Sequence, residues 1–230
     1  MNDITGQALY DYYNKATYGK LWIHNKYGTK EEMPVHIYFR QEGDMPDLEL
    51  IALQNCKGKV LDIGAGAGSH ALLLQEKGVD VTALEISPKA AEVMILRGVS
   101  TIIRQDIFKF ETGGFDTLLL LMNGIGLTGN ISRLTEFFQH AKKLINPGGQ
   151  LIFDSSDVAY LYEGELHTMK NYYGEIMYQY EYKRQKTDWF SWLYIDEKKL
   201  TEIAGEAGWE IEILYKDEFD QYLARLVSRN

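Results

Sequence analysis

The chain has 230 residues, 45% of them hydrophobic and 25% charged, as expected for one globular domain with an elaboration. Its formal net charge of −9 argues against a nucleic-acid partner, because binding a polyanion requires Lys and Arg side chains clustered on one face. A single cysteine, apolar runs too short to span a bilayer and an N-terminus without a signal-peptide pattern predict a cytoplasmic protein with no membrane partner.

The N-terminal segment, residues 1–56, shows helical patterning near both of its ends. Apolar residues recur at helical spacing over residues 8–13 and again over residues 48–53. The aromatic-rich stretch from Trp22 to Arg40 lies between them and is predicted as a loop. We expect the whole segment to form a helical cap.

Residues 57–157 alternate short apolar runs with helical patterns, which predicts an α/β fold with a doubly wound, mostly parallel sheet and helices on both faces. The predicted strands are Val60–Ile63, Asp80–Glu85, Thr101–Gln105, Thr117–Leu121 and Gln150–Phe153. The predicted helices are Ser69–Lys77, Pro88–Arg97 and Ser132–Leu144. The turn Asn146–Gly149 is predicted to end the third helix and to lead into the next strand.

Two further segments follow this core. Residues 158–195 are predicted as an inserted β-hairpin cap, because side chains alternate over Glu175–Tyr182 and this strand can pair with Trp189–Ile195. The predicted elements of residues 196–230 are the helix Glu197–Ala207 and the strands Trp209–Tyr215 and Gln221–Val227.

The most specific local pattern is Lys59–Gly68, in which a short apolar strand leads directly into glycines at positions 64, 66 and 68. Only glycine lets the backbone turn this sharply and approach a ligand closely, and we expect exposed N–H groups at this turn. The pattern predicts a nucleotide-like ligand. It lacks the Gly-Lys-Ser/Thr ending of a Walker loop and the G-x-G-x-x-G spacing of dinucleotide-binding loops, although glycine spacing alone is a weak distinction.

Acidic residues after the next two strands indicate an adenosine ligand. Glu85 ends the second predicted strand, which in a doubly wound sheet lies beside the glycine turn. Its carboxylate can accept hydrogen bonds from both ribose hydroxyls and would repel the 2′-phosphate of an NADP-type ligand. After the third strand, Asp106 can accept from an adenine amino group while an apolar neighbour covers the ring.

In combination, these features resemble the class I, Rossmann-like S-adenosylmethionine-dependent methyltransferases. The run Val60–Gly68 resembles motif I of that family, and Glu85 its ribose-binding acid. Asp106–Ile107 resembles the adenine-binding pair, and Asn146–Gly149 the turn before the fifth strand. The resemblance covers about residues 57–157 and implies a seven-stranded sheet whose last strand is antiparallel, completed by residues 196–230.

The same resemblance implies cofactor contacts, which divide by the part of S-adenosylmethionine that each residue would touch. Asp62 would hold the amino group, and the backbone of residues 64–66 would line the methionine moiety. Residues 85–86 would contact the ribose and adenine, residues 106–107 the adenine, and residues 122–123 the sulfonium. The predicted cofactor-binding residues are therefore Asp62, Gly64, Ala65, Gly66, Glu85, Ile86, Asp106, Ile107, Met122 and Asn123.

The catalytic residue is not identified by these motifs. An amine or thiol acceptor needs no general base, whereas an oxygen or carbon acceptor usually does. The candidates are Asp154, at the end of the fifth predicted strand, and His24 and His36 in the aromatic N-terminal stretch. Asp154 and Asn123 would supply oxygen ligands for Mg²⁺, but a third ligand is not identifiable, so no metal is expected.

Tyrosines are distributed unevenly along the chain. All 16 lie outside residues 39–159, with six in the N-terminal segment and eight between residues 160 and 194. Aromatic rings with a polar end concentrate where an apolar surface meets ligand or water. We therefore infer that the N-terminal segment and residues 158–195 form a substrate cap; simple hairpin packing or a homodimer interface is the alternative.

The leading hypothesis is a methyltransferase that moves a methyl group from S-adenosylmethionine to a nitrogen or oxygen of a small-molecule acceptor by in-line displacement. Two alternatives stay open. One is a protein or peptide methyltransferase that docks its substrate on the aromatic cap. The other is an S-adenosylmethionine-binding protein without transferase activity.

Overall fold

The structure is a computed structural model and describes residues 3–16, 19–162 and 171–229. The described residues form two compact units. Unit 1 comprises Met1–Met45, Asp62–Phe110 and Met177–Phe190, and unit 2 comprises Pro46–Leu61, Glu111–Ile176 and Ser191–Asn230. Residues 163–170 of the predicted cap lie outside the described part. None of the helices in the described ranges has the length and apolar character needed to cross a membrane.

The α-helices of the described chain are α1 (Ile4–Tyr13), α2 (Asp47–Asn55), α3 (Ser69–Glu76), α4 (Pro88–Arg97), α5 (Ile131–Leu144) and α6 (Glu197–Glu206). Its strands are β1 (Leu21–Asn25), β2 (Glu31–Met33), β3 (Val60–Ile63), β4 (Val81–Leu84), β5 (Ile102–Ile103), β6 (Phe115–Leu120), β7 (Ile145–Ser156), β8 (Glu175–Tyr182), β9 (Gln185–Lys186), β10 (Phe190–Leu193), β11 (Trp209–Lys216) and β12 (Gln221–Ser228). Short 3-10 helices cover Val35–Phe39, Glu42–Asp44, Ile107–Lys109, Gly124–Thr128 and Ala159–Tyr162.

Seven strands form one mixed sheet in the order β5-β4-β3-β6-β7-β12-β11. The pairs β4–β5 and β6–β7 are parallel, whereas β12 is antiparallel to both of its neighbours. This topology confirms the predicted fold class, including the antiparallel last strand. The strands β3 and β8 also have the predicted bounds.

Helix α4 begins and ends where its sequence predicts. Ser87 caps its N-terminus, accepting a hydrogen bond from the Ala90 N–H at 2.9 Å, and Pro88 occupies the first turn. Gly98 ends the helix in the left-handed region. The Ser87 hydroxyl also donates to Asp3 Oδ2 at 2.8 Å, which ties the start of α1 to the start of α4.

A second sheet, β10-β8-β1-β2 with β9 paired to β8, corrects one prediction. Residues 22–40 are not a loop, because this stretch contains most of β1, all of β2 and the 3-10 helix Val35–Phe39. Trp22 in β1 pairs with Glu32 on one side and with Glu181 on the other. The strand is therefore stabilised by a partner far away in sequence, which local patterning does not show.

The predicted turn Asn146–Gly149 lies within β7 and not before it. Helix α5 ends at Leu144 as expected, but Ile145 already pairs with Phe115. The next paired residues are Gln150 and Thr117, so the intervening residues bulge out of the strand.

Each unit has its own apolar core. In unit 1, helices α1 and α4 pack with β1 and with part of the loop that follows β3; the buried residues of this cluster are Ile4, Ala8, Leu9, Leu21, Val35, Ala67, Ala90, Val93 and Tyr182. In unit 2, the ring of Phe138 lies 6.4 Å from that of Phe153 and 6.3 Å from that of Trp209, centroid to centroid.

Candidate functional site

The glycine loop, residues 64–68, follows β3 and turns through positive φ angles at Gly64 (+74°) and Gly66 (+56°). The N–H groups of Gly64 and Ala65 donate to the Leu84 carbonyl at 2.8 and 3.2 Å. The N–H of Gly66 donates to Glu85 Oε2 at 2.9 Å. The expectation of exposed N–H groups is therefore wrong for these three residues, whose donors are satisfied within the protein.

This hydrogen-bonding pattern bears on the class of ligand. A loop that cradles pyrophosphate offers it free backbone N–H groups, but here three such groups point to protein acceptors. A Cβ built on Gly64 would meet no atom within 4 Å, so the loop leaves open space on that side. The arrangement suits a ligand that lies against the backbone and donates hydrogen bonds to carboxylates.

Asp62, in β3, is a buried carboxylate that is incompletely satisfied. Its side chain is 2% exposed and accepts from the Ala71 N–H, with His70 nearby. Among the described residues its Oδ2 atom has no hydrogen-bond partner. Burial raises the pKa of Asp62 to about 6, and the electrostatic influence of the nearby His70 opposes that rise. An orphaned carboxylate oxygen two residues before the glycine loop fits a ligand ammonium group.

Glu85 follows β4 and holds the glycine loop through both of its oxygens. Oε2 accepts from the Gly66 N–H, and Oε1 accepts from the Ser87 N–H at 2.8 Å. Each carboxylate oxygen carries a second lone pair, so these bonds leave acceptor capacity for ribose hydroxyls. Burial raises the pKa of Glu85. The next residue, Ile86, exposes 65% of its surface, an unusual apolar exposure next to a buried acid.

Asp106 caps the 3-10 helix Ile107–Lys109, and its Oδ1 accepts from the Phe108 N–H at 3.0 Å. Ile107 is 5% exposed. The carboxylate thus has a local structural role, and the adenine contacts of both residues stay predictions.

In unit 2, the loop after β6 is held in a strained conformation by its neighbours. Met122 and Asn123 have φ angles of +59° and +54°. The Asn123 N–H donates to both oxygens of Asp154 at 2.9 Å. Its side chain donates to the Leu193 carbonyl at 3.2 Å and accepts from the Ser155 hydroxyl at 3.1 Å. The side chain of Asn123 is therefore fixed by β7 and β10.

Asp154 itself is 1% exposed and also accepts from Gln221 Nε2 at 3.2 Å. Burial raises its pKa to about 6, against the hydrogen bond from Asn123. This geometry makes the carboxylate a support for residues 122–123; a direct part in catalysis stays a prediction.

The two histidine candidates lie in unit 1. His24, in β1, is half-buried with Nε2 2.7 Å from Glu181 Oε2. Lys30 and Lys186 each place Nζ 3.8 Å from the same Glu181 oxygen. His36 lies in the 3-10 helix Val35–Phe39 and is exposed. Within the described ranges, no three His, Cys, Asp or Glu side chains are grouped so that they could hold a metal.

Two aromatic residues were not singled out by the sequence but lie against loops of interest. Tyr38 reaches the glycine loop, where a Cβ on Gly66 would lie 3.3 Å from its Cδ1 atom. Trp192 in β10 packs directly on Gly126, in the 3-10 helix that follows Asn123, and leaves no room there for a side chain. The uneven distribution of tyrosines indicated a role for the N-terminal segment that contains Tyr38, but it did not indicate that Tyr38 lies on the glycine loop.

Comparison with known proteins places these features in a family. A family model described as a methyltransferase domain matches residues 40–213. A solved S-adenosylmethionine-dependent methyltransferase from Bacteroides fragilis, in complex with S-adenosyl-L-homocysteine, is 40% identical with a TM-score of 0.92. That match covers 99% of this chain and 95% of the other.

Two curated relatives are more distant. A demethylmenaquinone methyltransferase of Tropheryma whipplei is 26% identical over 99 residues, 41% of this chain and 40% of the relative. A ubiquinone biosynthesis O-methyltransferase of Xanthomonas oryzae pv. oryzae is 24% identical over 105 residues, 42% of each chain. The chain thus matches about two-fifths of the length of these relatives.

The chain belongs to the class I, S-adenosylmethionine-dependent methyltransferase family. The predicted resemblance and the predicted enzyme class are both confirmed by the match over 40–213 and by the Bacteroides fragilis relative.

Proposed function

We propose that this chain binds S-adenosylmethionine at the glycine loop and transfers its methyl group to a nitrogen or oxygen of a small-molecule acceptor. The observation that carries the cofactor assignment is the buried oxygen of Asp62 that has no partner among the described residues, beside a loop whose N–H groups at residues 64–66 are already satisfied. A cationic ligand with hydroxyl donors matches that arrangement, whereas a pyrophosphate does not.

The predicted roles follow the chemistry of each residue. Asp62 accepts from the ammonium group of the methionine moiety, and Glu85 accepts from the ribose hydroxyls. Exposed Ile86 supplies an apolar surface for the adenine, and Asp106 with Ile107 holds the base edge. The bound S-adenosylhomocysteine of the Bacteroides fragilis relative supports this assignment.

A small-molecule acceptor is supported by two observations. The curated relatives are named for small-molecule pathways, demethylmenaquinone methylation and ubiquinone biosynthesis. In addition, two residues of the predicted cap contact the segment that follows Asn123: Trp192 packs on Gly126, and the Ser191 hydroxyl donates to the Gly129 carbonyl. These contacts support an acceptor site beside that segment.

The cofactor supplies an electrophilic methyl group on a sulfonium. Held by Asp62 and Glu85, the cofactor would supply this methyl group for in-line displacement by the acceptor atom; S-adenosylhomocysteine would be the leaving group, and the proton of the acceptor would pass to solvent or to a base. The protein's contribution is to hold the two partners in line and to exclude water. Asp154 contributes indirectly in this scheme, as a positioning residue that holds the Asn123 backbone.

Isothermal titration calorimetry tests the cofactor first. We expect S-adenosylmethionine and S-adenosylhomocysteine to bind and NAD not to bind; binding of NAD alone would overturn the proposal. The variant Glu85→Gln, which keeps shape but removes charge, is expected to weaken both ligands by roughly 10- to 100-fold.

Turnover is tested by S-adenosylhomocysteine production against a panel of small amines and phenols, with a peptide library in parallel. Product from the small-molecule panel supports the proposal. Product from peptides alone favours a protein methyltransferase, and tight cofactor binding with no product in either panel favours a non-catalytic binding protein.

A further inference from the structure

The ring of Tyr38 lies directly on the glycine loop. It comes from the 3-10 helix Val35–Phe39, and its Cδ1 and Cε1 atoms are 3.3 and 3.8 Å from where a Cβ on Gly66 would be. A side chain at position 66 would therefore press against the ring. The surface of the loop at Gly66 is thus formed jointly by backbone and by this aromatic side chain.

A chain of hydrogen bonds fixes Tyr38 at that place. Arg97, the last residue of α4, donates from Nη1 to the Ala67 carbonyl at 2.6 Å and to Ser69 Oγ at 3.1 Å. The Ser69 hydroxyl donates in turn to the Tyr38 carbonyl at 2.7 Å. One guanidinium therefore links the glycine loop, the start of α3 and the segment that carries Tyr38.

The environment of Arg97 is unusual for a cation. In the part of the chain that the structure describes, the guanidinium forms no ion pair, and it lies 5.1 Å from the centroid of the Phe39 ring. Burial lowers the pKa of Arg97. Holding a partly desolvated cation without a counter-charge is costly, so carbonyl and hydroxyl acceptors and the aromatic face must offset that cost.

The ring of Phe39 is also held from the other side. It lies 4.8 Å from the ring of Tyr12 and 6.3 Å from that of Tyr13, both in α1. Phe39 is thereby packed between α1 and Arg97. Because Tyr38 is its neighbour in the chain, this packing also restricts movement of Tyr38 away from the glycine loop.

We propose that Tyr38 contacts S-adenosylmethionine bound at the glycine loop, and that Ser69 and Arg97 are positioning residues that hold Tyr38 there. This inference rests on the proposed function. Because the N–H groups of residues 64–66 are satisfied internally, affinity for the methionine moiety must come from other groups, and a fixed aromatic ring supplies contact area at low entropic cost.

Calorimetry with S-adenosylhomocysteine tests the contact. We expect Tyr38→Ala to bind about tenfold more weakly and Tyr38→Phe to bind within about threefold of the parent chain, because the ring and not the hydroxyl makes the contact. Tyr38→Leu gives the same comparison should the alanine variant fail to fold. Tyr27→Ala, an exposed tyrosine of the same segment, is the matched control and is expected to bind normally.

A double-mutant cycle tests the positioning role. Ser69→Ala and Arg97→Lys are each expected to weaken binding by about threefold in the parent chain and to have no further effect in the Tyr38→Ala background. A full additional loss in that background would show that they act independently of Tyr38 and would overturn the positioning role.

The two proposals fail in different ways. If Tyr38→Ala binds S-adenosylhomocysteine as tightly as the parent chain does, Tyr38 does not contact the cofactor, but the cofactor assignment still holds. A parent chain that does not bind S-adenosylhomocysteine would overturn the proposed function itself.

Discussion

A carboxylate that is buried and incompletely hydrogen-bonded destabilises the protein that contains it unless a ligand completes its shell. Asp62 is such a residue among those described. Its pKa of about 6 in the folded chain lies above the ordinary value of 3.8. Between these two values the folded state holds a proton that the unfolded state releases, so this residue lowers the stability of the free protein as the pH rises from 4 to 6.

The same shift predicts how cofactor affinity depends on pH. Only the ionised carboxylate pairs with an ammonium group, so we expect S-adenosylhomocysteine affinity to fall as the pH drops through about 6, approaching tenfold per pH unit below it. Titration calorimetry from pH 5 to 8 measures this slope. Asp62→Asn is expected to bind more weakly at pH 8 and to flatten the profile; an unchanged profile would remove Asp62 from the amino-group site.

Gly64 offers a second test at the scale of one residue. Its added Cβ would enter open space, so Gly64→Ala is expected to obstruct the ligand without meeting protein atoms. Gly78 is a matched control, with a φ of +77° against +74° and equally open surroundings. Backbone strain is expected to lower the stability of both variants by about 1 kcal/mol. Only Gly64→Ala is expected to bind S-adenosylhomocysteine more weakly, by more than about tenfold. Equal affinities would place the ligand elsewhere.

Helices and strands with a clear local sequence pattern could be predicted. The strand Val60–Ile63 is apolar and punctuated by glycine, and Glu175–Tyr182 alternates along its length, so both were predicted with the observed bounds. The strand β1 was missed because only one of its partners, β2, is close in sequence; the other pairing, of Trp22 with Glu181, is a contact that no local window contains. The positions of Tyr38 and Arg97 at the glycine loop were not predicted for the same reason, because only tertiary packing brings them there.

The sequence carried less information about hydrogen bonds than about candidate residues. Glu85 was proposed from its place at a strand end and Asp62 from the family resemblance, and the cofactor contacts of both stay predictions. The hydrogen bonds from the Gly66 and Ser87 N–H groups to Glu85 could not be predicted from the sequence. Which acceptor a backbone N–H reaches is determined only when the turn has formed.

The loop after β6 gives a prediction at the level of an element. Asp154 satisfies the Asn123 N–H in a segment with two positive φ angles, so removing the carboxylate leaves a partly buried donor unpaired. We expect Asp154→Ala to lose about 1–3 kcal/mol of unfolding free energy in urea titrations, and Asp154→Asn, which keeps an acceptor, to lose less. An alanine variant as stable as the parent chain would show that the loop holds its shape unaided.

At the scale of the whole molecule, the continuous seven-stranded sheet predicts cooperative unfolding. The seven strands from β5 to β11 are hydrogen-bonded in one sheet, so we expect a single unfolding transition. S-adenosylhomocysteine at a hundred times its Kd should raise the unfolding free energy by about 2.7 kcal/mol in one transition. Coincident curves from tryptophan fluorescence and far-ultraviolet circular dichroism would meet this expectation, whereas two resolved steps, with one insensitive to ligand, would contradict it.

The pairing of β1 with β8 also has a consequence for synthesis of the chain on the ribosome. Asn25 pairs with Tyr178, so about 150 residues must be translated after β1 before its second partner exists. At about 5–20 residues per second that interval lasts about 8–30 s. During this interval, the edge of β1 that later pairs with β8 has no partner strand; this edge includes Trp22 and Ile23. An exposed edge of this kind is a site for pairing with other nascent chains, so we expect β1 to need protection until β8 has been synthesised.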